Sequence, residues 1–545
     1  MAPRWDVTKA ARFLYEYKFL ILVLYVGVLV WSAVFSAAVA DYLDTSYWNS
    51  RGVWLGNGDI QVFGFTVEYM FEGYGDYSFY YVHWGHNMLR GVMPYNSDFG
   101  YLRMNGITNE NGLFVFPPLT AVLYAIGVLI APDNTGIGLL LVIMGFITVF
   151  PVYGIAKNLS NNRHVGEAAA LTYLLNPAVL YHTVFAWLNP APFILFFFLG
   201  FYALTVGRRH TGTLLIVTAA LFKQTAWLLG IPLIVFLLVK ERVPGHSTGH
   251  QAQGDSDKAP LSVEPDNVKR PQRGIDLVKA GFLRPSKYLD IRGFVTSCAV
   301  VLGFVGAIVF PFYIAQPQML YHLSLASGGF WIESLTELPD YSSPIRLQHL
   351  PVLVGLPDLA AGLNYIVYYG FLLTFTLAVS FGLMMFIDKD MTRRRYYFRH
   401  LLFFTMMMIL LVNITGPRGI YKYYLTLLAP FFSIFSSVKM VTSQEEHIPF
   451  SFSMLWMPIA LTLLYLVPNR NVYFVSLILI AAAYALARQI GVLWAAITTP
   501  ARRLSAQTRK LLRPMLSHYL IVRANIHRAL YGSFQEATDN NDVCA

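Results

Sequence analysis

Residues 75–116 read GDYSFYYVHWGHNMLRGVMPYNSDFGYLRMNGITNENGLFVF and run directly into Pro117, Pro118 and Leu119. The segment is dense in Tyr, Gly, Asn and acids. The two prolines that close it suit the first turn of a helix. An apolar run lies before it at about 19–40, and apolar segments follow one another quickly from Leu113. A hydrophilic, aromatic loop between long apolar runs is the pattern of an all-α polytopic membrane protein with a large first loop outside the bilayer. Composition agrees. Of 545 residues, 56% are hydrophobic, 15% aromatic and 13% charged, against ~25% charged in soluble domains. Mean hydropathy is +0.50.

The first apolar run is long enough to span and lacks a small-residue cleavage site, so a retained helix is expected rather than a signal peptide. Cys298 and Cys544 are the only cysteines, which excludes a disulfide framework. The formal net charge is +10. Its Lys and Arg residues cluster beside apolar runs, as positive-inside anchors do, so no nucleic-acid partner is expected.

Arg4, Lys9, Arg12 and Lys18 place the N-terminus in the cytoplasm. Residues 41–112 then form an external loop, expected to carry short helices in the membrane interface. Five apolar segments follow at about 113–131, 136–156, 166–187, 190–206 and 211–239. If all five span, Lys240 lands inside, but Arg208 and Arg209 fall outside, against the charge rule. Asn176-Pro177, Asn189-Pro190 and Lys223-Gln224 interrupt these runs. Such breaks are tolerated at membrane depth only where they line a cavity, so they point to a site.

Residues 1–240 read as an N-terminal catalytic module and 241–290 as a flexible cytoplasmic linker. A C-terminal bundle over 291–500 follows, with a second external loop at 315–363 and further spans near 292–314, 364–387, 400–415, 420–438, 451–467 and 471–496. The total is about twelve helices, with both termini cytoplasmic. The basic tail, 501–545, suits either an amphipathic helix on an anionic leaflet or an ordinary positive anchor.

Several residues stand out for chemistry. Asp76 and Asp98 are acids of the central segment, and Asp41, Asp44 and Asp59 belong to the same loop. His83 and His86 are spaced to share a helix face, with no further ligands at metal-binding spacing. Lys223 sits inside an apolar run, where a cation needs a partner, a cavity or an interface to reach. Arg418 and Lys422 open a late helix on the external side, where positive charge calls for a reason such as a phosphate. Tyr80, Tyr81, Trp84 and Tyr95 could stack on sugar faces or simply pack at the interface.

The order Gly75-Asp76-Tyr77-Ser78-Phe79-Tyr80-Tyr81, then Leu89-Arg90-Gly91-Val92-Met93-Pro94-Tyr95, Asp98 and Phe116-Pro117-Pro118-Leu119 resembles the first external loop of the GT-C glycosyltransferases, in their polyprenyl-phosphate-mannose-dependent branch. The resemblance implies a GT-C bundle that transfers a hexose, mannose first, from a polyprenyl-phosphate donor to a glycan or glycolipid acceptor. It makes Asp76 the general base, with Asp41 and Asp44 as rivals because another branch places its acid there. Asp98 would hold the acceptor or a divalent cation. His83 and Tyr95 would contact substrate, and Lys223, Arg418 and Lys422 would meet the donor phosphate. One carboxylate suffices because the lipid phosphate leaves without a general acid. Two departures stand beside the match. Asn189-Pro190 falls where many relatives carry an acidic or Gln-containing motif, and no Trp-Trp-Asp-Tyr-Gly string is present. A transporter or flippase is the alternative from another class, and a non-catalytic scaffold is a third.

Overall fold

The structure, a computed structural model, describes residues 14–44, 57–62, 65–70, 81–96, 99, 102–104, 107–109, 114–188, 190–224, 230–239, 289–328, 351, 355–359, 362, 370–386, 394–415 and 425–437. All belong to one compact unit, 1–481. Asp76, Asp98, Arg418, Lys422, linker residues 241–288, the spans expected at 451–467 and 471–496, and the basic tail lie outside the described residues.

The described chain is mostly helical. It opens with α1 (Lys18–Asp44). Two antiparallel hairpins follow, β1 (Asn57–Val62) with β2 (Phe65–Met70) and, later, β3 (Leu102–Met104) with β4 (Ile107–Asn109). Helix α2 (Val82–Leu89) lies between them. The loop expected to hold only short helices therefore carries strands as well. Residues 59–62 and 65–69 alternate apolar and polar side chains, a period-two pattern that suits pairing.

Then come α3 (Pro118–Ile130), α4 (Asn134–Ile147), α5 (Val149–Ser160) and α6 (Arg163–Leu174). A short helix, α7 (Pro177–Val179), passes into a π-helical turn, Leu180–Phe185. Next are α8 (Pro190–Thr205), α9 (Arg209–Ala220) and α10 (Gly230–Leu238). The C-terminal part has α11 (Ile291–Ala315), α12 (Met319–Gly328), α13 (Gly370–Phe386), α14 (Arg394–Thr415) and α15 (Leu425–Ser437). Among the described residues, three stretches are long and apolar enough to cross a membrane: Lys18–Ala40, Asn134–Ser160 and Ile291–Ala315.

Helix starts follow local chemistry. Asp133, Asn162, Asn176 and Asp290 each accept a backbone N–H of the first turn, satisfying donors that a helix leaves unpaired. The interruption at Asn176-Pro177 is such a cap. Asn176 accepts from Ala178 and Val179, and Pro177 needs no partner for its missing N–H.

Long-range contacts define two ends of the bundle. At one end, called here the basic end, Phe19 meets His164, Asn158 donates to Thr205, Arg399 donates to the Leu159 carbonyl, and Arg209 pairs with Asp290. At the other end Phe35 meets Trp187, whose ring also abuts Gly138 near the start of α4. The described loop residues from Tyr81 to Phe99 and from Phe114 to Phe116 gather at this second end, called here the loop end.

These contacts revise two expected spans. The apolar stretch 211–239 is not one helix. Helix α9 starts with Arg209 at the basic end, turns at 221–224, and α10 returns to the basic end, where the Asp290 N–H bonds to the Leu238 carbonyl (2.8 Å). The stretch 113–131 does not traverse the bundle. Both ends of α3 are fastened to the eight-residue α2, through Trp84 against Phe116 and through His86 against the Pro132 carbonyl. At ~1.5 Å per residue, α2 is roughly 12 Å long. The two revisions offset one another, and together they move Arg208 and Arg209 to the end that already holds Lys18, Lys157, Arg163, Arg292 and Arg399.

Candidate functional site at the loop end

Helix α2 is shaped to lie flat on α3. At Gly85 a Cβ would stand 2.6 Å from the Tyr124 carbonyl oxygen, so only glycine allows this approach. Trp84 and Tyr81 fill the seam. Tyr81 stacks on Tyr124 at 4.4 Å, and Trp84 meets Phe99, Phe114, Phe116 and Tyr124. Gly91 then ends the helix in a left-handed conformation (φ 80°). The Val92 N–H reaches back to the Asn87 carbonyl (3.0 Å) and the Gly91 N–H to that of Met88 (3.1 Å). This pair of bonds explains why glycine stands between Leu89 and Pro94.

The turn at Pro94-Tyr95 is held from three directions. The Tyr95 phenol donates to the Phe116 carbonyl (2.9 Å), tying it to the start of α3. The Tyr95 N–H donates to Gln316 Oε1 (2.8 Å), and Gln318 Nε2 donates to the Tyr95 carbonyl (3.1 Å). Gln316 Nε2 also reaches the Met93 carbonyl (3.4 Å). Close by, His322 Nδ1 donates to the Phe114 carbonyl (3.2 Å), and its ring sits edge-on to Tyr95 at 5.7 Å. Burial pushes the Tyr95 phenol well above its usual range. Burial also holds His322 below the ordinary imidazole range, opposed by its bond to the Phe114 carbonyl.

Lys223 occupies the turn that links α9 to α10, with its N–H on the Ala219 carbonyl (3.1 Å). Its neighbours tie this turn to the loop. Thr120 Oγ1 donates to the Phe222 carbonyl (2.8 Å), and Gln224 Nε2 donates to the Val115 carbonyl. The structure thus joins residues about a hundred positions apart, and Lys223 stands where the loop enters α3.

The remaining candidates divide. His83 lies half-buried on α2 with Nε2 accepting from Asn87 Nδ2 (3.0 Å), which also donates to the Phe99 carbonyl (3.2 Å). Tyr95 is 1% exposed, so its ring and hydroxyl are both used inside the fold. Tyr81 and Trp84 are buried in the same way. Asp98 lies outside the described residues between two anchored positions: the Phe99 N–H bonds to the Asn96 carbonyl (3.1 Å), and Phe99 is fully buried. Asp41 and Asp44 close α1, with their side chains outside the described residues. Among the described residues, no group of three His, Cys, Asp or Glu side chains converges to hold a metal.

Gln316, Gln318, Gln224, Thr120 and His322 carry the site's long-range bonds; of these the sequence singled out only Gln224, as half of the Lys223-Gln224 break. The signal for two of them was present, because Gln316-Pro317-Gln318 brackets a proline directly after a 25-residue apolar helix. Comparison of the chain with known protein families, with characterised proteins and with solved structures finds no match.

Proposed function

We propose that this chain is an integral-membrane glycosyltransferase of the GT-C kind. It moves a hexose, with mannose the first choice, from a polyprenyl-phosphate donor to a glycan or glycolipid acceptor, with inversion. The observation that carries the reading is the fastening of the Lys223 turn to Val115 and Thr120, which puts a cation beside the loop expected to hold the base.

In the reaction, Asp76 takes the proton of an acceptor hydroxyl as that oxygen attacks the anomeric carbon. The bond from that carbon to the phosphate oxygen breaks, and the electron pair leaves with the polyprenyl phosphate. Lys223, Arg418 and Lys422 neutralise the phosphate as it departs. Asp98 would hold the acceptor or, where one is bound, a divalent cation. The donor's lipid tail lies among the helices, in contact with membrane lipids.

Orientation follows from charge. Lys18, Lys157, Arg163, Arg208, Arg209, Arg292 and Arg399 gather at the end away from the loop, which makes that end cytoplasmic under the positive-inside rule. The loop end then faces outward, and about twelve spans with both termini inside complete the topology. Transfer of radiolabelled sugar from a polyprenyl phosphate to candidate acceptors by purified protein tests the activity. Asp76→Asn is expected to abolish it with folding intact, and full transfer by that variant would defeat the assignment of the base.

A transporter reading draws on one observation. The segment from Asn176 to Trp187 is a broken helix with a π-helical turn, buried Asn176 and His182, and Trp187 at φ 52°. Discontinuous helices of this kind line substrate paths in transporters. Substrate movement across vesicles without glycosyl product would favour it.

A further inference from the structure

We infer that Gln316 and Gln318, at the turn between α11 and α12, are positioning residues of the active site. They hold the Met93-Pro94-Tyr95 turn, which precedes Asp98 by three residues. The inference rests on the transferase reading above.

The geometry is that of a side-chain amide standing in for a neighbouring strand. Gln316 accepts the Tyr95 N–H and donates to the Met93 carbonyl, two residues back. Gln318 takes the carbonyl of Tyr95 itself. The turn closes on itself through the Asn96 N–H and the Met93 carbonyl (3.1 Å), which leaves the N–H and C=O of Tyr95 to partners from outside. Glutamine suits the task because one amide both accepts and donates. Gln316 is 6% exposed, which removes water as a substitute partner. His322 adds a bond to Phe114, so the same turn of chain grips the loop on both sides of its hairpin β3–β4.

The consequence reaches beyond the loop. The other end of α11 is anchored at the basic end, where Asp290 caps the helix and pairs with Arg209. Twenty-five residues of helix, roughly 37 Å at ~1.5 Å each, therefore connect the two ends. The site is then completed by the C-terminal part of the chain, not by residues 1–240 alone.

The test uses full-length protein in lipid nanodiscs, with hydrogen exchange and the transfer assay read side by side. Gln316→Leu keeps the volume and removes both bonds. It is expected to speed exchange of amides in 89–99 by about tenfold or more, with 163–174 unchanged. It is also expected to lower kcat by about 100-fold with donor KM within about twofold, the pattern of a misplaced loop. Gln316→Glu retains the acceptor for Tyr95 and should restore most of the protection. Gln318 is exposed, so Gln318→Leu serves if Gln316→Leu loosens the whole bundle, and its smaller change must again be confined to 89–99. Unchanged exchange in 89–99 overturns the inference and leaves the transferase reading standing. A wild-type protein that transfers no sugar defeats that reading, while exchange still decides whether the two glutamines hold the turn.

Discussion

The continuous stretch Asn134–Ser160 and helix α11 have 27 and 25 residues and are equally apolar, yet they occupy opposite environments. In the first, 61% of the most apolar window is buried, and in the second none is, among the described residues. Their mid-helix glycines differ in the same way among the described residues. A Cβ at Gly138 would meet the Trp187 ring at 2.3 Å, and one at Gly154 would meet Tyr202 at 2.3 Å. Gly303 and Gly306 of α11 meet nothing within 4 Å among the described residues. Apolarity therefore marks both helices as fit for a bilayer, while close approach at glycine marks one of them as core. Among the described residues, helix α11 is fastened at its ends by polar groups and touches α9 and α10, leaving most of its length uncovered.

This contrast can be broken most sharply at Gly138. Gly138→Leu drives a side chain into Trp187 and is expected to cost about 3 kcal/mol or more. Loss of monodisperse protein in detergent, or a large fall in Tm, would show it. An unaffected Tm would mean that the helix is not packed as described. The matching change in α11, Gly303→Leu, is expected to leave Tm unchanged.

The end anchor of α11 gives the next effect. Asp290 both caps the helix at Gly293 and pairs with Arg209. Asp290→Ala should cost about 1–2 kcal/mol, combining a lost cap with a half-exposed ion pair. A double-mutant cycle with Arg209→Ala should return a coupling of about 1 kcal/mol or less. No coupling would detach α11 from α9.

The smallest effect is expected at the other end. His322 is held below its ordinary range by burial, so the unfolded chain binds a proton more readily than the folded one. Its contribution is fully present above the unfolded value of ~6.5 and is lost as pH falls through the lower folded value. Its described ring contacts are with Tyr95 and Tyr321. Stability measured from pH 7 to 5 should fall more steeply in wild type than in His322→Phe. Parallel profiles would remove His322 from the account.

Part of the candidate site was legible in the sequence. Gly91 and Pro94 stand there only as members of a family-like string, and the structure makes them a helix end and a turn. Lys223-Gln224 announced an interruption, and a turn is what stands there. What could not be read was which end of the bundle each break reaches. Hydropathy gave the same signal for α3, which stays at one end, as for α4, which leaves it. It also merged α9 and α10 into one segment because their connecting turn is itself apolar enough to pass for helix. The hairpins at 57–70 and 102–109 were missed because aromatic residues suit an interfacial helix and a strand equally well.

Sequence alone established a membrane-type chain, a polar aromatic loop and a basic bias between apolar runs, because these depend on composition and spacing. Tertiary structure alone decided that Arg208 and Arg209 join the other cations, that Lys223 meets the loop, and that Gln316 and Gln318 hold Tyr95. The physical reason is that a hydrogen bond across more than two hundred residues leaves no local periodicity. It is specified by the packing that brings the two partners together.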